Sequence, residues 1–164
     1  MQEYRTGLGW DVHRTAPGRP LVLGGVEIPA GFGLEGHSDA DVLSHAVTDA
    51  ILGAAALGDI GMHFPDTDPR WRGAASERFL KEAVRLLEQQ GCRLVHVDAT
   101  VVIEKPKLKD YRLAIRERLA AALGLDTNRV SLKFKTAEGL GPVGEGRAVE
   151  AQAVATIIGG AAEV

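Results

Sequence analysis

Residues 93–107 read RLVHVDATVVIEKPK, and within them Val95, Val97, Ala99, Val101 and Ile103 alternate with His96, Asp98, Thr100 and Val102. A two-residue period puts one set of side chains on each face of an extended chain. The stretch therefore predicts a β-strand with a core-facing row, ended by Pro106, which has no N–H to give to a sheet. Working outward, Ser76 opens a segment in which Phe79, Leu80, Ala83, Leu86 and Leu87 recur at helical spacing up to Gly91. Leu108, Tyr111, Ile115, Leu119 and Ala122 repeat that pattern up to Gly124. Residues 38–57, SDADVLSHAVTDAILGAAAL, are rich in good helix formers, with Ser38 or Asp39 as the N-cap and Gly58 as the stop. Tyr4 to Val12, Val130 to Thr136 and Arg147 to Ile158 read as further strands, and LVLGGVEIP at 21–29 as two short strand pieces around Gly24-Gly25. The order of strands, helix, helix, strand, helix, strand, strand predicts an α/β fold with helices covering one sheet face. The other face then needs a cover, and copies of the same chain supply one in a homo-oligomer.

The chain has 164 residues, 45% hydrophobic and 25% charged, which predicts one domain over residues 1–164. Lys and Arg total 19 against 22 Asp and Glu, a formal charge of -3. No basic field exists to attract nucleic acid or an anionic membrane, so a phosphate ligand has to be neutralised locally. Cys92 stands alone, unable to form an internal disulfide or a thiolate cage, as fits a reducing compartment. No apolar run reaches membrane-spanning length, and MQEYRTGLGW lacks a signal-like apolar stretch, so the expectation is a cytoplasmic protein. Four of the five histidines, His13, His37, His45 and His63, precede residue 64, which concentrates the chemistry in a glycine-rich first half.

Asp11-Val12-His13 sits at the end of the first predicted strand, where residues two apart share a face, so a carboxylate and an imidazole converge. On the predicted helix, Asp41, His45 and Asp49 recur every four residues as one polar stripe. A neighbouring carboxylate could orient one His45 nitrogen while the other binds a metal. If helix and strand pack side by side, Asp11, His13 and His45 supply three N/O ligands, the pattern of a zinc site with its fourth position open. Taken singly, DVH reads equally as a strand end and His45 as a satisfied helix histidine; taken together they favour metal.

His37 and Ser38 lie where a Gly-rich loop enters the helix, a position that suits a phosphate and equally an ordinary cap with an exposed loop histidine. The turn-rich segment 58–68 gathers Asp59, Asp66 and Asp68 with Gly61, His63 and Phe64, either to hold sugar hydroxyls and hard cations or as a solvated acidic loop. Glu104-Lys105-Pro106-Lys107 offers two cations beside a fixed backbone, or simply a charged turn. Thr136 and Glu138 end a strand before a Gly-rich turn, a hydroxyl and a carboxylate suited to hydrogen bonding or Mg²⁺. GxxxxGK[ST] and GxGxxG are both absent, which excludes the two common nucleotide loops.

DVHR (11–14), LVLGGVEIP, GHSDADVLSHAVTDAILGAAALGDIGMHFPDTDP (36–69), VVIEKPKL (101–108) and KTAEGLG (135–141), in this order, resemble the 2-C-methyl-D-erythritol 2,4-cyclodiphosphate synthase family over residues 3 to 158. The resemblance implies a mixed four-stranded sheet with helices on one face, in a ferredoxin-like arrangement, plus a short N-terminal hairpin, with the sheets facing the centre of a homotrimer. It implies a lyase of the non-mevalonate isoprenoid route. The expected substrate is the nucleotide 4-diphosphocytidyl-2-C-methyl-D-erythritol 2-phosphate, converted to the cyclic diphosphate with release of CMP at sites between subunits. Asp11, His13 and His45 match the family's divalent-metal ligands, usually for zinc, and Glu138 the ligand of a Mg²⁺ or Mn²⁺ ion on the diphosphate. His37 and Thr136 match the transition-state stabilisers, and Asp11, His13, His37 and Ser38 surround the phosphates. Asp59, Ile60 and Gly61 match the ribose end, and Phe64, Pro65, Asp66, Thr67 and Asp68 the erythritol pocket. Ile103, Glu104, Lys105, Pro106, Lys107, Leu108 and Lys109 match the cytidine and diphosphate cradle, with Lys135 and Ala137 beside Thr136.

The chain departs from the family pattern at Gly139 to Gly146, which is shorter and lacks the usual aromatic and arginine; Val143 falls near the arginine's place. Arg147 shares its face if the segment is extended, and so could substitute. Lys135 stands where a threonine is common. A metal-dependent phosphohydrolase and a non-enzymatic metabolite-binding module are the alternative functions, the first separated by water incorporation into product.

Overall fold

A computed structural model of the chain describes residues 2–160. Its long strands are β1 (Gln2–Ala16), β5 (Cys92–Val102), β6 (Val130–Lys135) and β7 (Ala148–Gly160). A hairpin of β2 (Leu21–Leu23) and β3 (Val26–Ile28) and a two-residue strand β4 (Gly33–Leu34) lie between β1 and the first helix. The helices are α1 (Val42–Ala54), α2 (Ile60–His63), α3 (Glu77–Gln89), α4 (Arg112–Leu123) and α5 (Gly141–Gly144). The sheet runs β4-β1-β7-β5-β6, antiparallel except for the parallel pair β5 and β6, and β2-β3 stands apart from it. The mixed sheet and the hairpin match the expectation, and β4 adds a fifth strand too short to carry a period. Among the described residues no helix is long and apolar enough to cross a membrane.

The alternation in the sequence is the alternation in burial. On β5, Val97, Ala99 and Val101 are buried, and on β7 Ala151, Ala153, Ala155 and Ile157, while Gln152 and Val154 point outward. Val95 departs from the predicted row because the register slips between Leu94 and His96, a bulge that puts Leu94 inside and leaves Val95 half-buried. α3 buries Phe79, Leu80, Ala83 and Leu87, and α4 buries Ile115, Leu119 and Ala122 before Gly124 ends it in the left-handed conformation.

β1 carries Gly7 and Gly9 on its covered face, and α1 lies directly on them. A Cβ at Gly9 would sit 1.9 Å from the Ala46 carbonyl oxygen, and one at Gly7 2.1 Å from that of Ala50. At these two glycines helix and strand meet backbone to backbone, opposite Ala46, Ala50 and Ala54. On the opposite face Tyr4, Leu8 and Trp10 are 67%, 70% and 53% exposed, an apolar row that nothing among the described residues covers.

The cap of α1 is neither Ser38 nor Asp39 but Asp41, which is completely buried. Its carboxylate accepts from Ser44 N (3.0 Å), Ser44 Oγ (2.8 Å), Gly24 N (2.9 Å) and Gly25 N (2.8 Å). It therefore caps the helix and satisfies the hairpin turn with the same two oxygens, while Ser38 and Asp39 are engaged elsewhere. Helix α1 is accordingly shorter than the helix-forming run, ending at Ala54 ahead of Ala56, which turns to a positive φ of 57°.

Gly9→Ala is expected to destabilise the protein by about 1–3 kcal/mol or more, because the added methyl group meets helix backbone rather than a mobile side chain. Urea unfolding of the variant and its parent measures this.

Candidate active site

Stacking α1 on β1 brings His45 beside the covered-face residues Asp11 and His13. His13 Nε2 lies 2.9 Å from Asp11 Oδ2, His45 Nδ1 lies 3.0 Å from the same oxygen, and the two nitrogens are 3.1 Å apart. These three residues form the one candidate metal-ligating group of three or more side chains among the described residues. A tetrahedral ion with bonds of about 2.0–2.1 Å spaces its ligand atoms by about 3.3 Å, so the triangle is slightly contracted and a small rotation of the rings opens it to that size. His13 Nδ1 faces the Glu35 carbonyl, which can only accept, so it carries the proton and Nε2 presents a lone pair to the carboxylate. Lone pairs converging on an anion need a cation between them. In the protonated form of the rings the interaction is reversed: burial pushes the Asp11 carboxyl up, but N–H donation and positive charge from His13 and His45 outweigh it and hold it at about 2. Burial pulls His13 down, and Asp11 reverses this, leaving its pKa above the ordinary value.

The cluster opens into a cavity of about 420 Å³. Its wall contains Gly36, His37, Ser38, Asp49, Ile60, Gly61, Phe64, Pro65, Asp66, Trp71 and Phe79 as well as the three ligands. His37 Nε2 is buried there without a hydrogen-bond partner. Of the predicted erythritol and ribose residues, Ile60, Gly61, Phe64, Pro65 and Asp66 line the cavity, whereas Asp59, Thr67 and Asp68 do not. Asp59 caps α2 through Met62 N (3.0 Å), and Asp68 holds Arg70 at 2.6 Å. His63 donates from Nε2 to the Leu57 carbonyl (2.8 Å).

The remaining predicted residues gather elsewhere. Ile103, Pro106, Lys107, Leu108, Lys109, Lys135 and Thr136 line a second cavity of about 380 Å³, together with Arg112 and Phe134. Thr136 Oγ1 donates to Glu138 (2.7 Å), and Glu104 accepts from Ala137 N (3.1 Å) and Gly139 N (3.3 Å), so its carboxylate organises the loop rather than facing the cavity. The two cavities share no lining residue. A larger hollow of about 570 Å³ between α3, α4 and β5 contains none of the predicted residues, and its Lys81 and Arg85 are paired with Glu77 and Glu82. Gly141 to Gly144 is helical rather than extended; Val143 is buried and Arg147 pairs with Glu145, so Arg147 does not take up the position expected of it.

The polar stripe of α1 also differs from its expectation. Asp41 serves the hairpin, and Asp49, whose pKa burial raises, accepts from Ile60 N at 2.7 Å. The outer nitrogen of His45 instead faces two hydroxyls, Ser76 Oγ at 2.9 Å and Ser38 Oγ at 3.1 Å. Ser76 comes from a different helix start, and no spacing rule in the sequence links it to His45. Trp71 and Phe79 likewise join the cavity without any spacing that ties them to it, packing edge to face at 5.6 Å between ring centres to form the apolar wall. Arg19 is a third such residue, donating to the carbonyls of Gly36 (3.0 Å) and Ser38 (2.9 Å) on either side of His37.

A three-donor cluster on a mixed α/β sheet, opening into a cavity with an unpartnered imidazole, defines a candidate divalent-metal centre. The sequence profile of the YgbB family matches residues 4–158, and the chain belongs to that family. It is 68% identical, over 96% of its length and 99% of the relative's, to a protein of Solibacter usitatus named 2-C-methyl-D-erythritol 2,4-cyclodiphosphate synthase. A protein of the same name from Symbiobacterium thermophilum is 58% identical over 93% of this chain and 98% of the relative. Among solved structures, a 2C-methyl-D-erythritol-2,4-cyclodiphosphate synthase in a CDP-bound form superposes with a TM-score of 0.86 at 46% identity, covering 93% of this chain and 99% of that one. The bifunctional IspDF of Campylobacter jejuni gives 0.93 at 41% identity, over 98% of this chain and 43% of that protein.

Chelator-stripped protein is expected to take up one Zn²⁺ or Co²⁺ per chain, and His13→Ala to lose tight uptake, as isothermal titration reads directly. Retention of parental affinity by that variant would place the ion elsewhere.

Proposed function

We propose that the chain converts 4-diphosphocytidyl-2-C-methyl-D-erythritol 2-phosphate into 2-C-methyl-D-erythritol 2,4-cyclodiphosphate and CMP. The observation that carries this reading is the Asp11, His13 and His45 cluster at the mouth of a cavity, in a chain whose relatives bear the synthase name. In the reaction an oxygen of the 2-phosphate attacks the β phosphorus, a new P–O bond forms, and the bond from that phosphorus to the bridging oxygen breaks as CMP leaves. The nucleophile is already an anion and needs no general base, so what remains for the protein is alignment and charge neutralisation.

Asp11, His13 and His45 would hold a divalent ion, zinc by donor type, which supplies Lewis-acid stabilisation to phosphate oxygens. His37, through its free Nε2, stabilises charge on the transferring phosphoryl group, with Ser38 beside it. Ile60, Gly61, Phe64, Pro65 and Asp66 enclose the erythritol and ribose end. Asp59, Thr67 and Asp68 complete the substrate contacts of that end, Asp59 and Asp68 also capping the turns of the loop. Thr136 stabilises charge as the CMP phosphate departs, Glu138 would hold Mg²⁺ or Mn²⁺ on the diphosphate of the substrate, and Ile103 to Lys109 with Lys135 and Ala137 cradle the cytidine and its phosphates. The protein acts in the cytoplasm, where its single buried Cys92 stays reduced.

The site is shared between subunits of a homotrimer. Two observations support this: the separation of the two cavities on one chain, and the uncovered apolar row Tyr4, Leu8 and Trp10 on the open face of the sheet. In this arrangement the metal cavity of one subunit meets the lysine-lined cavity of its neighbour.

With substrate, Zn²⁺ and Mg²⁺, the protein is expected to release CMP and cyclic product in equal amounts, without incorporating ¹⁸O from labelled water; linear phosphates carrying the label would identify a hydrolase instead. Mixing His45→Ala with Thr136→Ala subunits should restore about one quarter of the parental sites, the chance that random neighbours contribute two intact halves. No recovery after confirmed subunit exchange would assign each site to a single chain.

A further inference from the structure

Ser76 stands immediately before α3, where a serine side chain ordinarily accepts from the first turn of the helix, yet it makes no such cap bond and is completely buried. Its hydroxyl faces two other groups. It donates to the Asp39 carboxylate, which also accepts from Ser76 N at 2.9 Å and Asp41 N at 3.2 Å. It lies 2.9 Å from His45 Nε2. A carboxylate accepting from two backbone N–H groups supplies no proton, so the single Ser76 hydroxyl proton is committed to Asp39. The oxygen then has only lone pairs left for the imidazole. His45 Nε2 must therefore be the donor in that contact, and a neutral ring protonated at Nε2 has its lone pair on Nδ1, the atom that faces Asp11 and His13.

We propose that Asp39 and Ser76 form a proton-orienting relay that fixes His45 in the Nε2–H tautomer, making Ser76 a positioning residue for the metal centre. This rests on the divalent-metal reading of the Asp11, His13 and His45 cluster. The relay is not needed to hold the two loops together, because backbone bonds already do so: Asp39 N donates to the Ala74 carbonyl (3.1 Å) and Gly73 N to the His37 carbonyl (2.9 Å). Ser38 Oγ, at 3.1 Å from the same His45 nitrogen, accepts from Ala40 N at 3.3 Å and has its own proton free to turn either way, so it does not select a tautomer by itself. Ser76 does, because Asp39 fixes the direction of its hydroxyl. His13 reaches the matching state by a different route, its Nδ1 proton being held by the Glu35 carbonyl. Both rings thus present bare nitrogens to one point, each locked by a partner on its outer side.

Two measurements decide the matter. In metal-free parent protein at pH 8, long-range ¹H–¹⁵N correlation spectra of the imidazoles are expected to show His45 as Nε2–H; an Nδ1–H pattern overturns the relay, whatever any variant does. Competition against a chromophoric chelator is expected to show Zn²⁺ bound about 10–100-fold more weakly by Ser76→Ala, with recovery towards the parental value in Ser76→Thr, which keeps a hydroxyl. Unchanged affinity in Ser76→Ala with the Nε2–H tautomer retained also overturns the proposal. Failure of the parent protein to bind Zn²⁺ or Co²⁺ at all would instead overturn the metal reading, while the tautomer in the metal-free protein still judges the relay.

Discussion

The backbone contact between α1 and β1 is the constraint on which the rest depends. Gly7 and Gly9 put no side chain where the strand passes under α1, and Ala46, Ala50 and Ala54 put only methyl groups at that crossing. Helix and strand consequently approach as closely as their main chains allow. Immediately before Ala46, the same approach places His45 against Asp11 and His13, with donor atoms 2.9–3.1 Å apart. A larger spacer at Gly9 would push α1, and His45 with it, away from Asp11 and His13. The glycines in the first strand are therefore as much a part of the site as the histidines.

Charge is divided between the two cavities in a way that net charge conceals. The metal cavity is lined by Asp11, Asp49 and Asp66 and has no lysine or arginine in its wall, so an anionic ligand enters it only if a cation sits on the three ligands. The second cavity has Lys107, Lys109, Arg112 and Lys135 and no carboxylate among its lining residues. A chain with formal charge -3 thus still gathers four cationic side chains in one cavity and a candidate metal-ligating cluster in the other, so net charge is no guide to where an anion would meet positive charge.

What the sequence made legible was whatever repeats along the chain. The two-residue period of β5 from Val97 on, the helical stripes of α3 and α4, and the DVH spacing on β1 each reflect a rule that acts between near neighbours, and each appears in the structure. The misplaced features depend on groups brought together by the fold. Asp41 outcompetes Ser38 and Asp39 for the helix cap because the hairpin turn delivers the N–H groups of Gly24 and Gly25 to it. Val95 leaves its row because β7 slips by a residue against β5. Ser76, Trp71 and Arg19 join the site from segments that share no period with it. The likeness of long motifs to a known family could name the ligands, but not the groups that orient them.

The pairing of the first long strand with the last has a consequence in time. β1 lies between β7 and the two-residue β4, with Gln2 opposite Gly160, so nearly its whole ladder is made with the strand that a ribosome would synthesise last. Contacts of such sequence separation form slowly, since a long loop has to close before they stabilise anything. During synthesis β1 waits as an unpaired edge with Tyr4, Leu8 and Trp10 in solvent, the state most open to mispairing. Asp11 and His13 ride on that strand, opposite Ala151 and Val149, so their backbone gains its ladder partner only when β7 arrives.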